Sequence, residues 1–290
     1  MTKRTQLATF AFLCGASLMI WWHPLVITLR RGLGAEAYTH ILLIVPLSIA
    51  LIYLQSGTLR MSSESSASAG SLLLVGALLI AGFARWGSPG PDDLRLSFSM
   101  IALVTWWIAS VVFCFGRRAF RSFLFPLCFL FWMGPIPAAA LDRIIPFLQD
   151  ESALAARVLF RMAGVPVTQD GIVLDIPGLS IEVARECSSI RSSLLLIVIT
   201  MVLAQLFLRS WWRKSLVIAF AIPLAVAKNG LRVFVIAELG TQVDPGFLSG
   251  KLHHQGGIVF LAIAVVIVVV LIWILRRSES SRSRPGEPLR

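Results

Sequence analysis

Residues 257–275 read GIVFLAIAVVIVVVLIWIL and contain no charged side chain. A hydrocarbon core about 30 Å thick is crossed by a helix of about 20 mostly apolar residues, so this stretch predicts a transmembrane helix. The same rule, applied outward from here, identifies eight candidate spans at 7–29, 40–56, 70–86, 96–115, 119–137, 188–208, 215–238 and 253–275. The sequence therefore predicts an all-α integral membrane protein with about eight transmembrane helices, in a single multi-span membrane domain over residues 1–290.

The composition differs from that of water-soluble proteins. Hydrophobic residues make up 57% of the chain and charged residues 14%, and the mean hydropathy is +0.82. A soluble domain carries about 25% charged residues because its surface must be solvated. A soluble enzyme, a disordered scaffold and a secreted disulfide-bonded domain are therefore all disfavoured.

The net charge of +11 is unevenly distributed along the chain. An even number of spans puts both termini on one side of the membrane. The termini and the loops on that side hold 14 of the 26 Lys and Arg residues and three of the 15 acids. Because cytoplasmic segments are the ones enriched in Lys and Arg, both termini are predicted to be cytoplasmic. The basic tail 276–290 then indicates a membrane-surface anchor, and nucleic acid is not expected as a partner.

The long connection 138–187 is predicted to lie on the extracytoplasmic side. Gly134-Pro-Ile-Pro137 should end the fifth span, because proline has no backbone N–H and clashes with the preceding turn. Apolar residues recur at helical spacing over 141–162, which predicts an amphipathic helix that either lies on the membrane surface or packs on other helices. β-Branched residues and turn formers over 164–183 predict a short β-hairpin or a small sheet.

Cys187 differs from the other cysteines in its surroundings. Cys14, Cys114 and Cys128 lie in apolar runs, where a thiol packs like a small hydrophobic group. Cys187 has arginine, glutamate and serine neighbours and comes just before the sixth span. The N–H groups of a helix N-terminus favour a thiolate, so Cys187 is a candidate nucleophile. The alternative is a packed thiol beside a helix cap.

The seventh span contains Lys228, Asn229 and Arg232 in an otherwise apolar run. A charged group at such a depth costs at least a few kcal/mol, so it requires a partner or a function. Lys228 and Arg232 are four residues apart and share one helix face. The structural alternative is that Arg232 pairs with a buried carboxylate or extends its side chain to the membrane surface.

His253 and His254 stand where the eighth span begins. Adjacent positions on a helix point about 100° apart, and no cluster of carboxylates is near in the sequence, so a zinc site is disfavoured. In the predicted topology these histidines, Cys187 and Arg232 belong to three consecutive spans and lie at the same membrane face. A nucleophile, a base and a fixed cation are the groups that acyl transfer requires.

Short motifs in order and spacing over about residues 38–262 resemble the exosortase/archaeosortase family of membrane transpeptidases. These motifs are Tyr38-Thr-His40, Phe125-Pro-Leu with Pro135-Ile-Pro137, Glu182-Val with Cys187-Ser-Ser-Ile-Arg191, Asn229-Gly-Leu-Arg232-Val and Leu252-His253-His254-Gln-Gly-Gly257-Ile-Val-Phe260.

The resemblance implies a membrane cysteine peptidase or transpeptidase that acts on exported proteins with C-terminal sorting tails. Such a tail combines a Pro-Glu-Pro type motif, a transmembrane helix and a basic cluster. The resemblance also implies the catalytic roles: Cys187 as the nucleophile, Arg232 as the stabilising cation and His253, with His254 as the alternative, as the acid and base.

Further expectations concern binding and location. Arg191, Asn229 and Lys228 are expected to bind the substrate, and no metal or organic cofactor is required. The expected partners are the tailed proteins, the lipid bilayer and an unknown envelope acceptor. The expected location is the bacterial inner membrane, with the active site at the extracytoplasmic face.

The main competing hypothesis is a non-enzymatic transporter, or an assembly factor for exopolysaccharide export, in which Lys228 and Arg232 line a path for an anionic substrate. Polar residues within spans are compatible with it. However, the sequence has no detectable inverted repeat, and its polar groups cluster at one membrane face instead of at mid-bilayer. A third hypothesis is a catalytically inactive relative that only binds tails.

Overall fold

The structure, a computed structural model, describes residues 2–56, 66–87, 91–183, 190–244, 246 and 257–282. Six of its helices are long and apolar enough to cross a membrane, and two bent helix pairs bring the candidates to as many as eight within these residues. The prediction of a multi-pass, mainly helical membrane protein is confirmed. The chain forms two compact units, Met1–Leu141 and Asp142–Arg290.

The first unit begins with a bend that the sequence analysis missed. Helices α1 (Lys3–Ile20) and α2 (Trp22–Gly34) meet at 73°, so the expected span 7–29 is not one straight helix. Pro24 has no N–H to donate to the carbonyl of Ile20, four residues earlier, and this ends α1. Trp21, at the bend, is buried and its ring lies 5.6 Å from that of Trp106.

Helix α5 (Asp92–Ser122) is the centre of the first unit. It packs against α4 (Ala67–Gly82) most extensively, and Gly70 approaches it so closely that an added Cβ would lie 2.5 Å from the Cα of Phe113. Two indole N–H groups of α5, from Trp106 and Trp107, donate to the Leu13 carbonyl and the Ser17 hydroxyl of α1, each at 2.9 Å. The indole, carbonyl and hydroxyl groups thus have hydrogen-bond partners that the hydrocarbon of a membrane could not supply.

The segment expected to form a fifth span is broken into short pieces. Gly116, with φ of 80°, interrupts α5, and a conformation of this kind favours glycine. Helix α6 (Leu124–Phe129) and a 3₁₀ turn (Leu130–Met133) follow, and Gly134–Pro137 ends the run as predicted. The unit also contains helix α3 (Ile41–Ser56) and a 3₁₀ turn (Glu36–Tyr38).

The second unit contains a bundle of helices α8 (Ile190–Phe207), α9 (Trp211–Gln242) and α10 (Gly257–Arg282). Apolar residues from all three helices form its core, among them Leu196, Val217, Leu224 and Val268. The expected basic tail 276–290 begins inside α10. There the guanidinium of Arg277 lies 3.7 Å from the centre of the Trp273 ring, as expected for a cation and an aromatic ring at a membrane interface.

Helix α7 (Ala138–Met162) and a small sheet complete the second unit. The predicted amphipathic helix is confirmed, and its apolar face packs on protein: Ala156 and Phe160 share a core with Leu174 of the sheet and Val233 of α9. The sheet is antiparallel and has three strands, β1 (Thr168–Asp170), β2 (Val173–Ile176) and β3 (Leu179–Glu182). Of the two expected arrangements, a hairpin or a small sheet, the structure has the sheet. Its third strand begins directly after Gly178, whose φ of 82° allows the tight turn.

Candidate active site

Three neighbouring polar side chains are buried in α9, within a segment long and apolar enough to span the membrane. Lys228 is 6% exposed, Asn229 1% and Arg232 9%. Such groups are costly in a membrane unless other polar groups meet them. The burial of Arg232 within the protein disfavours the alternative in which its side chain extends to the membrane surface.

Lys228 connects α9 to the beginning of α8. Its Nζ donates a hydrogen bond to the Oγ of Ser192, and Ser192 lies in the first turn of α8. The two helices are antiparallel neighbours, so this contact puts Lys228 of α9 at the same level as the N-terminal end of α8. That end is the one that follows Cys187 in the sequence.

Lys228 also faces the beginning of α10. It lines a cavity of about 110 Å³ together with Phe260 of the first turns of α10 and with Leu231 of its own helix. The other lining residues are apolar: Leu224, Ala227, Ile263, Ala264 and Ile267. The N-terminal ends of α8 and α10 therefore both approach α9 at the level of Lys228.

Asn229 and Gly230 join α9 to α7. The Nδ2 of Asn229 donates to the Oγ of Ser152 at 2.9 Å, and both side chains are buried. At Gly230 an added Cβ would lie 2.5 Å from the Cβ of Ala155 and 3.0 Å from the nitrogen of Ala156. The absence of a side chain at residue 230 allows this close packing of two helices, as small residues do in membranes.

The Oδ1 of Asn229 accepts no hydrogen bond from the residues that the structure describes. A buried amide oxygen without a donor is costly, because it has left water without compensation. Its Nδ2 holds the amide in place through Ser152. The oxygen is thus a fixed, buried acceptor beside the two cations.

Cys187, His253 and His254 lie outside the described residues, so their expected positions are not part of the structure. Chain length still limits their distance from the cluster. Cys187 precedes Ser192 by five residues, which bounds their Cα–Cα separation at about 18 Å for a fully extended chain. His253 precedes Gly257, the first residue of α10, by four residues, which limits their Cα–Cα separation to about 14 Å.

The other expected site residues are divided between buried and exposed positions. Arg191 is exposed in the first turn of α8, next to Ser192, whereas Lys228, Asn229 and Arg232 are together in the buried cluster. Sequence reasoning missed Ser152 and Ser192, which bind Asn229 and Lys228. Serines are common in membrane helices, and only their position opposite a buried polar group distinguishes these two.

Metal ligation finds no support among the described residues, which contain no group of three or more His, Cys, Asp and Glu side chains able to hold an ion.

We expect Gly230→Leu to destabilise the protein. The new side chain would overlap Ala155 and the α7 backbone, and such overpacking costs about 1–3 kcal/mol. Thermal unfolding of the purified full chain in detergent measures the effect. Gly76→Leu is the matched control, because Gly76 lies inside α4 with nothing within 4 Å of an added Cβ. Equal unfolding temperatures for the two variants would contradict the close contact between α7 and α9.

A model of the transmembrane exosortase family matches residues 21–270. Searches of curated proteins and of solved structures found no match. The matched region covers most of the chain and includes the buried cluster of α9, and the resemblance seen in the sequence motifs is thereby confirmed. The chain belongs to the transmembrane exosortase family.

Proposed function

We propose that this chain is a membrane-embedded cysteine peptidase or transpeptidase that removes the C-terminal sorting tail of exported proteins through a thioester on Cys187. Membership of the exosortase family supports a role as a membrane transpeptidase or protease in general. The observation that carries the finer proposal is the position of Lys228 between two helix starts. Its Nζ donates to Ser192 at the start of α8, and its side chain lines a cavity with Phe260 near the start of α10. Cys187 precedes the first of these helix starts and His253 the second.

The proposed reaction begins with the Cys187 thiolate. Its sulfur attacks a carbonyl carbon of the tail, and Arg232 stabilises the oxyanion that forms. The C–N bond then breaks, and His253 or His254 donates its proton to the leaving amine. The exported protein remains bound to the sulfur of Cys187 as a thioester. In the second step the acceptor, which is water or an amine or hydroxyl group of the envelope, loses a proton to the histidine and attacks the thioester. The C–S bond breaks and the thiolate is regenerated.

The residues around Arg232 have proposed roles in binding. Asn229 offers its Oδ1 to a backbone N–H of the tail, since the amide is already fixed by Ser152. Lys228 holds the start of α8 through Ser192 and adds positive charge near the oxyanion. Arg191 is exposed at the same helix end, where it is available to an acidic residue of the tail.

The proposed setting is the bacterial inner membrane, with both termini in the cytoplasm and the active site at the extracytoplasmic face. The support is the excess of cations in the terminal segments, which cytoplasmic segments typically carry. An exported protein reaches this face with its tail helix still in the membrane, so the scissile bond and the helix starts meet at the same depth.

The proposed function is tested by co-expressing the full chain with an exported protein that carries a Pro-Glu-Pro type tail and is encoded by the same genome. We expect the mature protein to lose its tail, as measured by its mass, only in cells that produce the chain. A matched substrate without its basic cluster should remain in the membrane uncut. Equal processing with and without the chain, or no processing in either case, would contradict the proposal and favour a transporter or a tail-binding protein.

A further inference from the structure

A second group of cations lines a cavity in the Met1–Leu141 unit. The cavity measures about 680 Å³ and lies where α1 ends, α2 begins, α4 ends and α5 begins. Its charged lining comes from Arg31 of α2, Arg85 from the turn after α4, and Asp92 and Arg95 of the first turn of α5. The tail-processing chemistry proposed above uses none of these residues.

Arginines outnumber carboxylates at this cavity. Among the described lining residues, three guanidinium groups face one carboxylate, that of Asp92. A further carboxylate, that of Asp93, is bound by Arg31. Guanidinium groups bind phosphate through paired N–H donors, so a cavity with an excess of them suits a phosphate group.

Arg85 lies in an unusual piece of helix. Residues Phe83–Gly87 form a π-helical turn at the end of α4. Such turns are rare, and they occur frequently at functional sites. Here the turn puts Arg85 on the cavity, while the neighbouring Trp86 ring lies 5.9 Å from the guanidinium carbon.

Two exposed tryptophans are sequence neighbours of the cavity lining, as expected for a site near the lipid headgroups. Trp22 is 64% exposed and Trp86 84% exposed, and tryptophan is enriched where the lipid headgroups begin. The remaining cavity wall is largely apolar and includes Ile20, Ile27 and Leu96. The cavity thus combines cationic side chains with an apolar wall.

We propose that this cavity binds the phosphate group of an anionic glycerophospholipid, with the arginines on the phosphate and an acyl chain against the apolar wall. The recognised chemistry is a phosphate group, which a free phosphate ion would also supply. A free ion has nothing to place against Ile20, Ile27 and Leu96, whereas a lipid matches both parts of the cavity. The lipid is therefore the occupant to which the proposal commits.

Native mass spectrometry of the full chain tests the proposal, after purification in a neutral detergent and exchange into phosphatidylglycerol or phosphatidylcholine. We expect phosphatidylglycerol to be retained in preference. In Arg85→Gln/Arg95→Gln its binding should weaken at least about tenfold, since each lost guanidinium removes charge-assisted hydrogen bonds to the phosphate. Arg117→Gln/Arg121→Gln, at the other end of α5, is the matched control and should bind like the wild type.

Two further measurements make the result decisive. Arg85→Lys/Arg95→Lys should recover part of the affinity, because an ammonium keeps the charge but not the paired donors of arginine, and a folding defect would not explain that recovery. Inorganic phosphate at millimolar concentration should leave phosphatidylglycerol bound. Displacement by phosphate, equal retention of the two lipids, or equal losses in the cavity and control variants would each overturn the proposal.

Discussion

Replacement of Cys187 by alanine is expected to reduce tail processing by at least about a thousandfold, because the reaction loses the sulfur that forms the thioester. The mass of the co-expressed tailed protein reports the loss, with the amount of folded membrane protein measured in the same cells. The residual rate should equal that of cells without the chain.

Cys128→Ala is the matched control for the thiol. Cys128 is a free and exposed cysteine of α6, and it lies in an apolar run. We expect this variant to process tails at the wild-type rate. Full processing by Cys187→Ala, or an equal loss in both variants, would show that the thiol of residue 187 is not the nucleophile.

The second large effect is expected at Arg232. Arg232→Ala should lower processing about a hundredfold or more, which is the typical result of removing one preorganised donor to an oxyanion. Arg232→Lys should be impaired as well, because an ammonium keeps the charge but loses the planar pair of donors. Processing rates per folded molecule, compared with binding of an uncut tail peptide, separate a loss of catalysis from a loss of binding.

Arg213→Lys serves as the control for a buried arginine of the same helix. Arg213 is 5% exposed at the other end of α9, where it donates to the carbonyl of Leu275 at 2.6 Å. It should affect stability without changing the processing rate of the folded molecules. The assignment of Arg232 would be wrong if both lysine variants lowered that rate equally, or if Arg232→Ala retained most of it.

Hydropathy predicted most helices correctly because the length and polarity of a span are local properties. It placed both limits of α9 within four residues, and Gly134–Pro137 correctly predicted the end of the fifth segment. It missed the bend at Trp21, since a count of apolar residues does not register the hydrogen bond that Pro24 cannot make. Between a hairpin and a small sheet the sequence left the choice open, because four-residue strands such as Leu179–Glu182 carry little periodicity.

The buried cations of the candidate site stood out in the sequence, whereas their contacts did not. The unusual charges of Lys228 and Arg232 were visible in an apolar run, and the structure buries both. Their partners were not visible in the sequence. Hydropathy indicates which residues lie at the same depth in a membrane, but it does not indicate which helices are neighbours. The bonds of Lys228 to Ser192 and of Asn229 to Ser152 depend on that lateral packing.

The most direct test of the account is to intercept the intermediate with hydroxylamine. Nitrogen attacks a thioester readily, so the C–S bond breaks and the exported protein is released with a hydroxamic acid at its new C-terminus. We predict that mass spectrometry of the processed protein detects this hydroxamate in amounts that rise with hydroxylamine, and only when Cys187 is present. Continued processing with no hydroxamate at any concentration would contradict a covalent intermediate on Cys187.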